Sequence, residues 1–187
     1  MITIIGLGFV GLTSALGFAE KGFKVYGVEK DERKYQMLIN RKVPFHEPYL
    51  MEMLEKHISL GNFVIKSDLE SIINESNILM ICVGTPSSDE GRVDLSQVKS
   101  VIKELSKFKL NSFKVLCIKS TVPPSTINLE IIPYLEKLKI NVFKDIGISH
   151  NPEFLREGKA WEDFINPDRI VIGCTDDKSK KIMNELY

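Results

Sequence analysis

Glu153 and Glu157 stand four residues apart in NPEFLREG, directly after the apolar segment DIGIS. Holding a nucleotide does not by itself call for a carboxylate pair at a strand end, whereas acid–base chemistry does. Acids that merely decorate a helix N-terminus, where the macrodipole favours them, are an equal reading of these two residues alone. A second chemical stretch opens the chain. GLGFVG sets Gly6, Gly8 and Gly11 in G-x-G-x-x-G spacing around Leu7, Phe9 and Val10, between a strand and a helix. Gly6 permits a tight turn, Gly8 lets backbone approach a pyrophosphate, and Gly11 lets helix and strand pack closely. Glu29 closes the next apolar run, 18 residues after Gly11, where a carboxylate can accept both hydroxyls of an adenosine ribose. The same carboxylate repels a 2′-phosphate, so the spacing favours NAD over NADP. Arg33 and Lys34, one helical turn on, soften that preference.

These residues need a frame to position them. Short β-branched runs (ITIIG, KVYGVE, FVIK, NILMICV, KVLCIKS, IGIS, RIVIG) alternate with amphipathic stretches such as DLSQVKSVIKELSKF and STINLEIIPYLEKL. Asp94 and Ser125 sit where helix caps belong. Nearly all-apolar strands between helices predict an α/β, doubly wound, mostly parallel sheet with helices on both faces, Rossmann-like. Ligands of such sheets lie beyond the carboxyl ends of the strands. VGTPSS, STVPPST and HNPEFLREG all fall there, bringing Thr85, Ser120 and Thr121 to the same edge as the two glutamates.

With 187 residues the chain is long enough for one domain with a substantial core. Lys+Arg and Asp+Glu both total 25, and this balance gives no support to a nucleic-acid or membrane-surface partner. No apolar run approaches the ~20 residues of a membrane span, and MITIIGLG lacks a basic leader region. Three cysteines without C-x-x-C spacing argue against a disulfide framework or a zinc site, and a cytoplasmic location is expected. The three histidines, His46, His57 and His150, show no metal-ligand spacing; Trp161 and Phe164 read as core packing.

Taken in order, GLGFVG, PFHEPYL, ICVGTPSS, KSTVPPST, NPEFLREGKAWEDF and NPDRIVIG resemble the UDP-glucose/GDP-mannose dehydrogenase family over nearly the whole chain. The resemblance is to its N-terminal NAD-binding domain, and NPDRIVIG looks most like the UDP-glucose members. It implies an oxidoreductase of nucleotide-sugar metabolism and polysaccharide biosynthesis. The sugar C6 alcohol is oxidised to a carboxylate in two NAD-dependent steps: a cysteine captures the aldehyde, a second hydride transfer gives a thioester, and water hydrolyses it. Gly6 to Gly11 are then implied to hold the pyrophosphate, Glu29 and Lys34 to lie near the adenosine ribose, and Thr85, Ser120 and Thr121 to line the dinucleotide site. Thr121 would also position the reacting water or sugar oxygen. Glu153 would serve as base for the hydrolytic water, and Glu157 would stand between cofactor and substrate. Residues Glu153, Phe154, Leu155, Arg156 and Glu157 would cradle the UDP-sugar.

Three departures from the family pattern follow. Glu29 replaces the more frequent aspartate, and Ser125 stands where glycine is usual. The catalytic cysteine and its helper lysine and asparagine belong to motifs beyond residue 187, so this chain alone is expected to be inactive. Cys82 and Cys117, in apolar strands, are not expected to substitute. The whole enzyme is expected to be a homodimer with a central helix and a C-terminal substrate domain, this fragment being monomeric. GDP-mannose and UDP-N-acetylmannosamine are the alternative substrates. A stand-alone nucleotide-binding module does not need Thr121, Glu153 and Glu157 together. β-Hydroxyacid dehydrogenases begin similarly, but usually carry methionine where this chain has Val10, and lack NPEFLREG.

Overall fold

The computed structural model describes residues 1–87 and 91–187. Ser88, the last residue of VGTPSS, lies outside the described residues. Among those described, seven strands form one sheet in the order β3-β2-β1-β4-β5-β6-β7. They are β1 (Ile2–Ile5), β2 (Val25–Val28), β3 (Phe63–Lys66), β4 (Ile78–Ile81), β5 (Lys114–Ile118), β6 (Ile146–His150) and β7 (Gly173–Cys174). The first six pair in parallel, and β7 closes the edge antiparallel to β6. Strand order reverses between β1 and β4, which opens a crevice at the carboxyl edge of the sheet.

Alternation along each strand divides the core into two layers, because successive side chains point to opposite faces. Ile2, Ile4, Ile78 and Met80 join one buried cluster with Leu12, Leu16 and Phe18 of α1 (Phe9–Glu20) and Leu50 and Leu54 of α3 (Leu50–Ser59). Ile5, Leu79, Ile81 and Leu116 join the other, with Val98 and Ile102 of α4 (Ser96–Leu105) and Leu135 of α5 (Ile132–Lys137). The short α2 (Glu32–Ile39) is capped by Asp31, which accepts from the Lys34 amide at 2.9 Å. The short α6 (Ala160–Ile165) and α7 (Asp177–Asn184) follow β6 and β7.

Three local expectations need correction. RIVIG is not a strand along its length. Residues 169–172 are irregular, with Ile170 and Val171 42% and 45% exposed, and pairing is confined to Gly173–Cys174. What holds Val171 is a side chain: its carbonyl accepts from Asn151 Nδ2 at 2.8 Å. Asp94 lies one residue before the N-cap position of α4, which is Leu95, and accepts from the Ser96 amide at 2.7 Å. Ser125 makes no side-chain cap and instead adopts a left-handed conformation, φ +67°. The helical run after it begins with a π-turn, Ile127–Ile131, before α5. Pro133 explains the wider turn, since it lacks an N–H and its ring crowds the carbonyl four residues back.

Candidate functional site

The glycine turn occupies the crevice. Gly6 sits at φ +89°, a conformation that glycine adopts without strain. A side chain at Gly11 would place Cβ 1.8 Å from the Gly6 carbonyl oxygen, so only glycine lets α1 start this close to β1. Gly8 has nothing within 4 Å of its would-be Cβ, leaving its backbone open to a ligand. Glu29 is 7% exposed, and its two oxygens accept from the Leu7 amide at 3.0 Å and the Asp31 amide at 2.9 Å. Glu29 is thereby tied to the glycine turn. Each oxygen keeps a lone pair for a hydroxyl donor. An open cradle, a free helix N-terminus and a fixed carboxylate acceptor together suit a dinucleotide, so the residues present fit NAD.

The next two strand-end loops are stitched together. Ser120 Oγ donates to the Val83 carbonyl at 2.6 Å, and Thr85 Oγ1 donates to the Thr121 carbonyl at 3.0 Å. Thr121 itself is exposed at the edge. Its position beside the β4 loop follows from the parallel register of β4 and β5.

Glu153 and Glu157 do not form one paired site. Residues 151–156 have no regular secondary structure and 157–159 form a turn, so both glutamates precede α6 and neither lies in its first turn. Glu153 is half-buried, its Oε2 accepting from the Leu155 amide at 2.5 Å, and it lines a cavity of about 850 Å³ with Lys119, Asn151, Phe154 and Leu155. Glu157 is exposed and lines a second cavity of about 330 Å³ together with Gly8, Phe9 and Lys34. The structure thus brings Glu157 to the glycine turn and Glu153 to the larger hollow. Arg156 is committed elsewhere: its amide, Nε and Nη2 all donate to Asp163, whose carboxyl is held down to about 2 by those bonds.

Two residues at the site carried no role in the sequence reading. Lys119 directly follows β5 with only 5% exposure and donates to Asn151 Oδ1 at 3.0 Å, the oxygen that Tyr187 also reaches at 2.6 Å. Burial pushes its ammonium below the usual lysine range. A charged residue closing the apolar run VLCI was the available signal. Glu47 of PFHEPYL is the other, and its bonds to the loop are described below.

The cysteines are not placed for chemistry. Burial pushes the Cys82 and Cys117 thiols up to about 12, so neither supplies a thiolate near neutrality. Cys174 is half-buried against Ser149 Oγ. His57 is buried between Asn62 and Glu20, His46 lines the smaller cavity, and Phe164 packs edge-on against Phe18. His150 ends β6 with its Nε2 buried and unpartnered. Among the described residues no helix is long and apolar enough to cross a membrane, and no three acidic, histidine or cysteine side chains cluster as for a metal.

A 3-2-1-4-5-6 sheet with a G-x-G-x-x-G turn after β1 and an acid just after β2 is the arrangement of a dinucleotide-binding domain. Residues 1–187 match the NAD binding domain of the UDP-glucose/GDP-mannose dehydrogenase family, and the chain belongs to that family. Its cofactor is NAD. The whole chain is 40% identical to UDP-glucose 6-dehydrogenase TuaD of Bacillus subtilis, of which it spans 40%. It is 37% identical to GDP-mannose 6-dehydrogenase of Pseudomonas syringae, of which it spans 43%. A crystal structure of a ternary complex of GDP-mannose dehydrogenase from Pseudomonas aeruginosa superposes over the whole chain with a TM-score of 0.94 at 32% identity, covering 43% of that protein. The chain therefore spans about two fifths of the length of these relatives.

Proposed function

We propose that this chain is the NAD-binding part of a nucleotide-sugar 6-dehydrogenase that oxidises UDP-glucose to UDP-glucuronate. The observation that carries the reading is the smaller cavity, where Glu157 of the sugar-side loop shares a wall with Gly8 and Phe9 of the glycine turn. Cofactor and sugar would meet at that junction. NAD supplies the hydride acceptor for both oxidations.

In this assignment Gly6, Leu7, Gly8, Phe9, Val10 and Gly11 surround the pyrophosphate with backbone amides. Glu29 accepts the ribose hydroxyls, with Lys34 beside it. Thr85, Ser120 and Thr121 line the nicotinamide side, Thr121 also orienting the reacting oxygen. Glu153 takes the proton of the hydrolytic water, and it lies with Phe154, Leu155 and Arg156 along the sugar nucleotide. The nucleophilic cysteine comes from outside these residues, because Cys82 and Cys117 stay protonated. UDP-glucose is preferred as the substrate because the relative at 40% identity is named for it.

Saturation-transfer NMR on the NAD⁺-loaded chain tests the substrate. UDP-glucose protons are expected to receive signal, weakened at least severalfold by Glu153→Gln, and no NADH is expected to form. Transfer to GDP-mannose alone would move the assignment to that sugar. NADH produced by the isolated chain would contradict an external cysteine.

A further inference from the structure

PFHEPYL takes no part in the assignments above, yet it supplies one of the few buried carboxylates in the molecule. Glu47 is 6% exposed. Its Oε2 accepts from the Gly158 amide at 2.8 Å and its Oε1 from the Ala160 amide at 2.9 Å, joining segments more than a hundred residues apart. Buried carboxylates are costly unless satisfied, and both oxygens of this one accept from the backbone just after Glu157. The peptide group is planar, so holding the Gly158 N–H also fixes the carbonyl of Glu157 and the place of its Cα, from which the side chain leaves. Gly158 sits at φ +81°, which turns the backbone so that both amides face Glu47.

The surroundings agree with a positioning device. Pro44, Phe45, His46 and Glu47 line the smaller cavity together with Gly8, Phe9 and Glu157. Phe45 packs edge-on against Phe9, the first residue of α1, with ring centroids 6.0 Å apart. Two residues after Glu47, Tyr49 is held left-handed at φ +67° while 53% exposed, a conformation that a bulky residue keeps only where its neighbours are tightly constrained.

We propose that Glu47 is a positioning residue of the dinucleotide site: by clamping the Gly158 and Ala160 amides it holds Glu157 against the glycine turn. The inference rests on the proposed role of Glu157 beside the cofactor. It extends that role to a segment between α2 and α3 that reaches the cleft from the far side of the sheet order.

The test uses the 187-residue chain with Glu47→Gln, Glu157→Gln and the double variant, each checked for a cooperative melt and titrated with NAD⁺ and with AMP. The amide introduced by Glu47→Gln keeps the shape of the side chain but can accept at only one of its two positions. Glu47→Gln is expected to weaken NAD⁺ about tenfold, while AMP, which reaches only the glycine turn and Glu29, changes less than about twofold. The double variant is expected to bind NAD⁺ no more weakly than the weaker single variant, because both substitutions remove one function. Unchanged NAD⁺ affinity in a folded Glu47→Gln protein, or fully additive losses, would overturn the proposal. Equal weakening of NAD⁺ and AMP would reduce Glu47 to a general structural role and likewise overturn it. Should Glu47→Gln not fold, Glu47→Asp keeps both acceptors one methylene short, and a selective loss of NAD⁺ over AMP decides in the same way. Failure of the unmodified chain to bind NAD⁺ would instead overturn the functional reading on which the proposal stands.

Discussion

Glu153 and Glu157 are close in sequence, but they lie in an irregular segment that ends in a turn, and each lines its own cavity. The amide hydrogen bond on Glu153 and the Glu47 clamp after Glu157 decide where the two carboxylates point. Neither partner is visible in the spacing of NPEFLREG. His150 shows the same dependence on surroundings. Burial lowers its pKa, opposed by a weaker contribution from the Ser120 backbone, and its Nε2 has no partner. A lowered pKa means that the unfolded chain takes up the proton first. Stability from this group is then complete above about pH 6.5 and is lost as pH falls through the lower folded value. Denaturant melts at a series of pH values should show this loss, and His150→Asn should flatten it. An unchanged profile in that variant would assign the titration elsewhere.

At the level of elements, the strongest sequence signals were the buried ones. Six apolar runs became the six parallel strands because their side chains have core on both faces. RIVIG failed at the sheet edge. There only Gly173 and Cys174 pair, and Ile170 and Val171 line or border the larger cavity instead. Periodicity cannot separate an apolar strand from apolar residues that face a cavity. Ser125 is a second case, since its residue type suggests a cap while the β5–α5 connection needs a left-handed turn. That turn costs a non-glycine residue about 1 kcal/mol, partly offset by the greater freedom that glycine brings to the unfolded chain. Ser125→Gly should therefore raise stability by less than about 1 kcal/mol, read from the denaturation midpoint. A clear loss would mean that the serine hydroxyl has a role its geometry does not reveal.

For the molecule as a whole, the doubly wound, mostly parallel class of the sheet and the edge that carries the site were legible from alternation and from one glycine turn. The contact of Gly11 with the Gly6 carbonyl is a local one, set within the turn itself, and shows how little latitude remains. The partition of the edge into two cavities was not legible. It arises from contacts between distant segments: Glu47 with Gly158 and Ala160, Lys119 and Tyr187 with Asn151. Those pairings exist only once the sheet has brought the loops together.

The central claim is that residues 1–187 bind NAD through the glycine turn and Glu29. The most direct test is calorimetric titration of the cooperatively folded chain with NAD⁺ and, separately, NADP⁺, repeated with Glu29→Ala. The account predicts binding of NAD⁺ at least about tenfold tighter than NADP⁺, and loss of that discrimination in the variant. A folded chain that binds neither, or that holds NADP⁺ as well as NAD⁺ with Glu29 in place, would contradict it.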